Sequence, residues 1–143
     1  MNKDHPEVKF GKTGVLIINL GTPDSTNWWD IRKYLKEFLS DRRVIELNPV
    51  IWQIILNLFI LTFRPAKTAE AYKKIWRKES NESPLLYFTR EQAKKLSDKI
   101  RNEKLMVDFA MRYGNPSIKS RLSKLKDDGC EHIIILPLYP QYA

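Results

Sequence analysis

Polar aromatic and cationic side chains follow two of the predicted strands of this sequence. Arg112 and Tyr113 follow one apolar run, and Tyr139 follows another. Because ligands of open parallel sheets bind beyond the carboxyl ends of the strands, we expect these side chains to meet at one edge. Tyrosine rings would stack on a flat aromatic anion, and Arg112 would pair with its carboxylate. The alternative is that Tyr113 and Tyr139 only seal the top of the sheet.

Other kinds of site find no support in residue spacing. The turn GTPDS after the first apolar run matches neither GxGxxG nor GxxxxGK[ST], so it is not a known phosphate-binding loop. The histidines His5 and His132 and the single Cys130 lack metal-ligand spacing. His132 opens a strand and is expected to be a structural or surface residue. No nucleophile and base can be paired from spacing, and we predict no catalytic or metal-binding residue in this chain.

Three apolar segments predict the strands, namely residues 13–20, 104–111 and 131–138. The first is a continuous β-branched run, which is typical of a strand buried on both faces of a parallel sheet. The last two flank a helix and form a βαβ unit with a right-handed crossover. We therefore predict an α/β fold, a doubly wound parallel sheet with the first strand in the middle and helices on its faces.

Capping signals and apolar periodicity predict the helices. Asp24 or Ser25 is placed to cap the first helix, and Thr89 begins a capping box with Gln92. Asn115 is placed to cap the last helix, with Pro116 at its first position and Gly129 just past its end. The predicted helices are residues 26–39, 66–77, 90–102 and 116–128.

Residues 49–63, from Pro49 to Phe63, are apolar nearly all round. The run is shorter than the ~20 residues of a membrane-spanning helix. We predict a helix that keeps an exposed apolar face, because one face of a sheet cannot cover so much apolar surface.

The composition suits one basic globular domain. The chain has 143 residues and a net charge of +8, which indicates either a solvated lysine-rich surface or an anionic partner. Residues 1–12 lack the apolar core of a signal peptide and are expected to be a flexible arm before a domain at 13–143. A single cysteine excludes an internal disulfide and suits a reducing, cytoplasmic location. No helix covers the apolar strand at 131–138, which indicates either a fragment or a partner half on another chain.

Four sequence blocks, in this order, resemble the N-terminal half of the ferrochelatase family. They are NLGTPD, FRPAKTAEAYKKIW with SPLL shortly after it, MRYGNPSI, and DGCEHIIILPLYPQYA. The resemblance covers residues 13–143 and implies a chelatase-like half with three strands, whose C-terminal half is absent. It implies insertion of ferrous iron into protoporphyrin IX, the last step of haem synthesis. Iron and porphyrin are then substrates, and no cofactor is expected on this chain.

The same resemblance implies a set of porphyrin-binding residues. Ser83 resembles a porphyrin-contacting serine, and Tyr72 the tyrosine upstream of it. Residues 49–63 resemble a hydrophobic lip that contacts the membrane. The metal-site histidine of the family and its acidic partner belong to the second half, so we expect this chain alone to be inactive. The implied binding residues are Leu20, Arg64, Tyr72, Ser83, Arg112, Tyr113 and Tyr139.

Two other functions remain to be weighed against this one. A non-catalytic basic α/β module would dock to a membrane surface through residues 49–63 and nearby cations. A nucleic-acid binder would fit the net charge, but the sequence has no basic stripe interleaved with aromatics and no known motif. The four blocks favour the ferrochelatase interpretation, and no nucleic-acid partner is predicted.

Overall fold

The computed structural model describes residues 11–100 and 102–139. Residues 1–10 of the predicted flexible arm, with His5, lie outside the described residues, as do residues 140–143. Lys12, which the sequence placed in the arm, is the first residue of a strand.

Three parallel strands form the sheet, as predicted. Strand β1 spans Lys12–Thr22, β2 spans Leu105–Gly114 and β3 spans Cys130–Pro137. Their order is β2-β1-β3, so the first strand is the middle one. Ile17 pairs with Phe109 on one side and Leu136 on the other. The run from Val15 to Ile18 is buried, as expected for a strand with neighbours on both edges.

Strand β2 is longer than its apolar run. It continues through Arg112 and Tyr113 to Gly114, so these residues lie in the strand rather than in an exit loop. Gly21 of β1 pairs with Tyr113 and has a φ of +121°. A Cβ at Gly21 would lie 1.9 Å from the carbonyl oxygen of Tyr113. Glycine is therefore required for β1 and β2 to run together to this edge.

Helix α1 spans Trp28–Ser40 and buries Ile31 and Leu35 on the predicted stripe. Its cap is Asn27, whose side chain accepts from the backbone N–H of Asp30, so the cap predicted at Asp24 or Ser25 is wrong. The hydroxyl of Ser25 instead donates to the Asp30 carboxylate at 2.6 Å.

The apolar run at 49–63 and the following segment form one continuous helical rod. It consists of α2 (Pro49–Ile55), a π-helical turn (Leu56–Ile60) and α3 (Leu61–Ile75). Leu56 and Leu61 point into the core and are fully buried. Pro65 lies inside α3 and has no N–H for the carbonyl of Leu61, and the guanidinium of Arg32 on α1 donates to that oxygen instead.

The predicted exposed apolar face of this rod is confirmed. Most of its large apolar side chains face solvent. The rod is the one helix in the described part of the chain that is long and apolar enough to cross a membrane, and 17% of its most apolar window is buried. The exposed large apolar residues of the rod are Val50, Ile51, Ile54, Ile55, Leu58, Phe59, Phe63 and Ile75.

Helix α4 (Pro84–Ile100) begins earlier than predicted. Thr89 does not cap it: the residue is buried inside the helix, and its hydroxyl donates to the carbonyl of Leu85 at 2.7 Å. Ser83 provides the start, because its Oγ accepts from the backbone N–H of Leu86. The local capping-box pattern was therefore misleading, since tertiary burial decides the role of Thr89.

Helix α5 (Ile118–Asp127) crosses from β2 to β3. Ser117 caps it, and the Asn115–Pro116 peptide bond is cis, so the predicted cap at Asn115 and first position at Pro116 are wrong. Gly129 follows the helix with a φ of +84°, as predicted.

Two apolar clusters hold the layers together. One joins α1 to the rod and includes Ile31, Leu56 and Tyr113. The other joins the sheet to α5 and includes Leu16 and Leu125. Strand β3 is an edge strand, and its apolar side chains, such as Ile134 and Ile135, are exposed. The sheet is thus packed around β1 and open at β3.

Candidate functional site

A cleft of about 470 Å³ opens beside the carboxyl end of β1, where the fold class predicts ligand binding. Three segments of the chain form its walls: the end of β1, the end of α3 and the start of α4. Its lining residues are Asn19, Gly21, Thr22, Tyr72, Ile75, Ser83, Pro84, Leu85, Phe88, Thr89 and Gln92.

The β1 wall is held by a short chain of hydrogen bonds. The amide nitrogen of Asn19 donates to the hydroxyl of Thr89 at 3.0 Å, and that hydroxyl donates onward to Leu85. The Asn19 side-chain oxygen also accepts from the N–H of Leu20 at 2.8 Å. These bonds order the Asn19 amide at the cleft wall and tie β1 to α4.

Tyr72 on α3 supplies an aromatic wall. Its ring meets that of Trp76 edge to face, with centroids 6.3 Å apart. It lies beside Tyr34 of α1, whose pKa is raised first by burial and then by Tyr72. The Tyr34 phenol therefore keeps its proton at neutral pH and acts as a neutral hydrogen-bonding group behind the cleft.

Ser83 lines the cleft at the start of α4. It is 2% exposed. Its Oγ accepts from Leu86 N–H at 3.2 Å, and this bond does not use the hydroxyl proton.

Sequence reasoning missed four apolar lining residues of the cleft, namely Ile75, Pro84, Leu85 and Phe88. Ile75 and Phe88 are largely exposed, Phe88 by 56%, although both line the cleft. The dipeptide Ser83-Pro84 was the signal that could have found Phe88, because serine at a cap followed by proline at the first helical position starts a helix. That start places Phe88 one turn after Pro84 on the first part of α4.

Leu20 and Arg64 do not line this cleft. Leu20 is exposed on β1 between two lining residues, Asn19 and Gly21. Arg64 is exposed on α3, eight residues before Tyr72 and thus about 12 Å along the helix axis. Their binding roles stay predictions.

Arg112 and Tyr113 lie at a separate depression of about 550 Å³, which also includes Lys33 and Lys36 of α1. The Nη2 of Arg112 is 2.6 Å from Oδ2 of Asp41, and the Tyr113 hydroxyl donates to the same oxygen at 3.0 Å. The pKa of Asp41 is lowered, first by the backbone N–H of Arg43 and further by Tyr113 and Arg112. Burial and Asp41 raise the pKa of Tyr113.

Tyr139 is half-buried after β3 and packs against the cluster of Leu16 and Leu125. The structure thus brings Tyr72 and Ser83 together at the cleft and sets Arg112 and Tyr113 in the other depression. Whether these residues contact a ligand stays a prediction for each of them.

The chemistry available in the cleft is binding rather than proton transfer. None of its described lining residues is a histidine, a carboxylate, a lysine or a cysteine. Across the part of the chain that the structure describes, no group of three or more histidine, cysteine or acidic residues could hold a metal ion. Exposed apolar walls with hydroxyl and amide groups suit a flat apolar ring that carries polar substituents.

Comparison with known proteins assigns this architecture to one family. Residues 12–143 match ferrochelatase. The chain is 52% identical to the ferrochelatase of Rhizobium johnstonii over 141 residues, which are 98% of this chain and 41% of the relative. It is 55% identical to that of Francisella tularensis subsp. tularensis (strain WY96-3418) over 135 residues, 94% of this chain and 40% of the relative. The chain therefore spans about two fifths of the length of these relatives, and it belongs to the ferrochelatase family.

Proposed function

We propose that this chain is the N-terminal, porphyrin-binding part of a ferrochelatase, which inserts ferrous iron into protoporphyrin IX. The observation that carries the proposal is the cleft at the carboxyl end of β1, which is lined by the rings of Tyr72 and Phe88 and by Ser83. Its volume of about 470 Å³ falls among those of small-molecule pockets. Both the aromatic walls and the hydroxyl suit a macrocycle with carboxylate substituents.

We further propose that the metal-handling residues lie in the part of the relatives beyond the span of this chain. Metal insertion requires a group that accepts the pyrrole protons, and histidine suits this role at neutral pH. The cleft described here offers no such group among its lining residues. The second part of the enzyme would also cover the exposed apolar side chains of β3, including Ile134 and Ile135.

Titration of the 143-residue chain with protoporphyrin IX tests the binding role without requiring catalysis. We expect quenching of porphyrin and tryptophan fluorescence that saturates, and a weaker affinity for Ser83→Ala. Ser123→Ala, an exposed serine on α5, is the matched control and should bind like the parent. Absence of saturable binding by the parent would reject the proposal.

The exposed face of the rod favours a second role, contact with a membrane surface on the cytoplasmic side. Phe59 and Phe63 lie on this face, and Arg64 and Lys67 follow them as exposed cations. Flotation with vesicles of zwitterionic lipid, with and without anionic lipid, tests it. Leu58→Glu should reduce recovery with the vesicles. Vesicle binding together with no affinity for porphyrin would favour the alternative, a non-catalytic membrane-binding module.

A further inference from the structure

An ion pair between a buried carboxylate and a partly exposed arginine lies directly beside the serine of the cleft. Glu82, the residue before Ser83, is 6% exposed. Arg90, in the second turn of α4, donates to both of its oxygens, with Nη1 2.5 Å from Oε2 and Nη2 2.7 Å from Oε1. This two-pronged geometry fixes orientation as well as distance.

The backbone before Ser83 is held from the other side as well. The N–H of Arg77 donates to the carbonyl of Glu82 at 2.9 Å, and the two residues form an antiparallel bridge. The Arg77 guanidinium lies 3.8 Å from the centre of the Tyr87 ring on α4. The Arg77–Glu82 bridge thus joins the two ends of the link between α3 and α4, next to Ser83.

We propose that the Glu82–Arg90 pair positions the Ser83 hydroxyl toward a carboxylate substituent of the porphyrin. This inference rests on the proposed function. Glu82 does not line the cleft, so it acts through Ser83 rather than by touching the substrate. Its carboxylate is adjacent to Ser83 in the chain and is anchored to α4, so the two-pronged bond fixes the peptide that carries the hydroxyl.

Pairing also removes a charge that would oppose the substrate. An unpaired carboxylate next to Ser83 would repel an anionic substituent, whereas Arg90 neutralises it within the protein. The hydrogen bond from Arg90 is the largest cause that lowers the pKa of Glu82, so the pair stays ionised at neutral pH. Ser83 is then left to donate to the ligand.

The test compares two porphyrins that differ only in charge, protoporphyrin IX and its dimethyl ester. We expect Glu82→Gln to raise the Kd for the diacid roughly three- to tenfold, the size of one typical net hydrogen bond, and to leave the Kd for the ester unchanged. Glu79→Gln removes the same charge from the exposed part of this link, where Glu79 contacts Arg77 at 3.4 Å, and is the matched control.

A double-mutant cycle separates positioning from general stability. In a Ser83→Ala background, Glu82→Gln should have no further effect on the diacid Kd, because residues that act as one unit are not additive. Additive effects, or equal losses for diacid and ester, would overturn the inference while the proposed function stands. No binding by the parent would overturn both.

Arg90→Lys provides a second variant if Glu82→Gln does not fold. Lysine keeps the positive charge but loses the two-pronged geometry. The same selective loss for the diacid is expected, and an unchanged Kd in a folded Arg90→Lys protein would overturn the inference.

Discussion

Arg112 and Asp41 join the end of β2 to the residue that follows α1, with their nearest charged atoms 2.6 Å apart. The bond spans two elements of the layered fold, and Tyr113 reinforces it from the next position of the strand. Arg112 therefore already forms an ion pair within the chain, although its side chain is 34% exposed.

Replacement of Arg112 separates a structural role from a binding role. Because the pair is partly exposed, we expect Arg112→Ala to cost about 1 kcal/mol of unfolding free energy. We expect its Kd for protoporphyrin IX to stay within about twofold of the parent, since the guanidinium is held by Asp41. Urea denaturation and porphyrin titration measure the two effects, with Lys119→Ala, an exposed cation on α5, as control. A several-fold rise in Kd would contradict this prediction and show that Arg112 takes part in porphyrin binding.

The stability of the chain should depend on the protonation of Asp41 at acid pH. Its pKa is lower in the folded protein than in the unfolded one, so its contribution is complete above the unfolded value of about 4 and disappears as pH falls through the folded value. We expect Asp41→Asn to be less stable than the parent at neutral pH and to lose less stability on acidification. Urea midpoints between pH 7 and 3 test this, with the exposed Asp127→Asn as control. Parallel curves for Asp41→Asn and the parent would contradict the prediction.

Gly21 should tolerate no side chain. Gly21→Ala forces a methyl group to within 1.9 Å of the Tyr113 carbonyl oxygen at a φ of +121°, and we expect a loss of about 3 kcal/mol or more. Gly129 also has a positive φ but meets nothing within 4 Å, so Gly129→Ala should cost about 1 kcal/mol. Thermal and urea unfolding compare the two variants. Equal losses of unfolding free energy in the two variants would show that the close contact between Gly21 and Tyr113 does not add to the cost of a side chain.

Phe88 should contribute to binding and little to folding. Its ring is 56% exposed and lines the cleft. We expect Phe88→Ala to weaken porphyrin binding by about 1 kcal/mol or more, the scale of a lost aromatic contact, with an unchanged unfolding midpoint. Phe63→Ala removes an exposed ring from the rod and should leave porphyrin affinity unchanged. If both variants bind porphyrin alike, Phe88 is outside the binding surface.

The 143-residue chain should not insert metal into a porphyrin. The described lining of its cleft has no group that accepts a proton at neutral pH. His132 pairs with Thr13 near the amino ends of β3 and β1, at the sheet edge opposite the cleft. Zinc insertion into a soluble porphyrin should proceed at the protein-free rate, both for the parent and for His132→Ala. Turnover by the parent that is lost in the variant would refute this prediction.

Strand β1 and its central place in the sheet could be predicted because a strand buried on both faces requires a continuous run of apolar residues. The run from Val15 to Ile18 admits few interpretations other than a central strand. The start of α4 could not be predicted from Thr89 to Gln92, because the capping-box pattern is local while the burial of Thr89 is a property of the whole fold.

Only some residues of the candidate site could be predicted from the sequence, for a similar reason. Tyr72 and Ser83 lie in segments with a recognisable sequence pattern, and both reach the cleft. Ile75 carries no such pattern, and Phe88 has only the indirect signal of the helix start at Ser83-Pro84, since both residues matter where the end of α3 meets the start of α4. The pairing of Arg112 with Asp41 joins residues far apart in sequence, and no local sequence pattern predicts it.

The continuity of the helical rod fixes the distance between its exposed apolar face and the cleft. Phe59 on its exposed apolar face and Tyr72 at the cleft belong to the same uninterrupted helix. Thirteen residues at the rise of an α-helix set them about 20 Å apart along its axis. A surface that receives Phe59 would therefore hold the cleft at a constant height and tilt. A hydrophobic substrate leaving that surface would meet the aromatic wall at a distance determined by the helix rather than by a hinge.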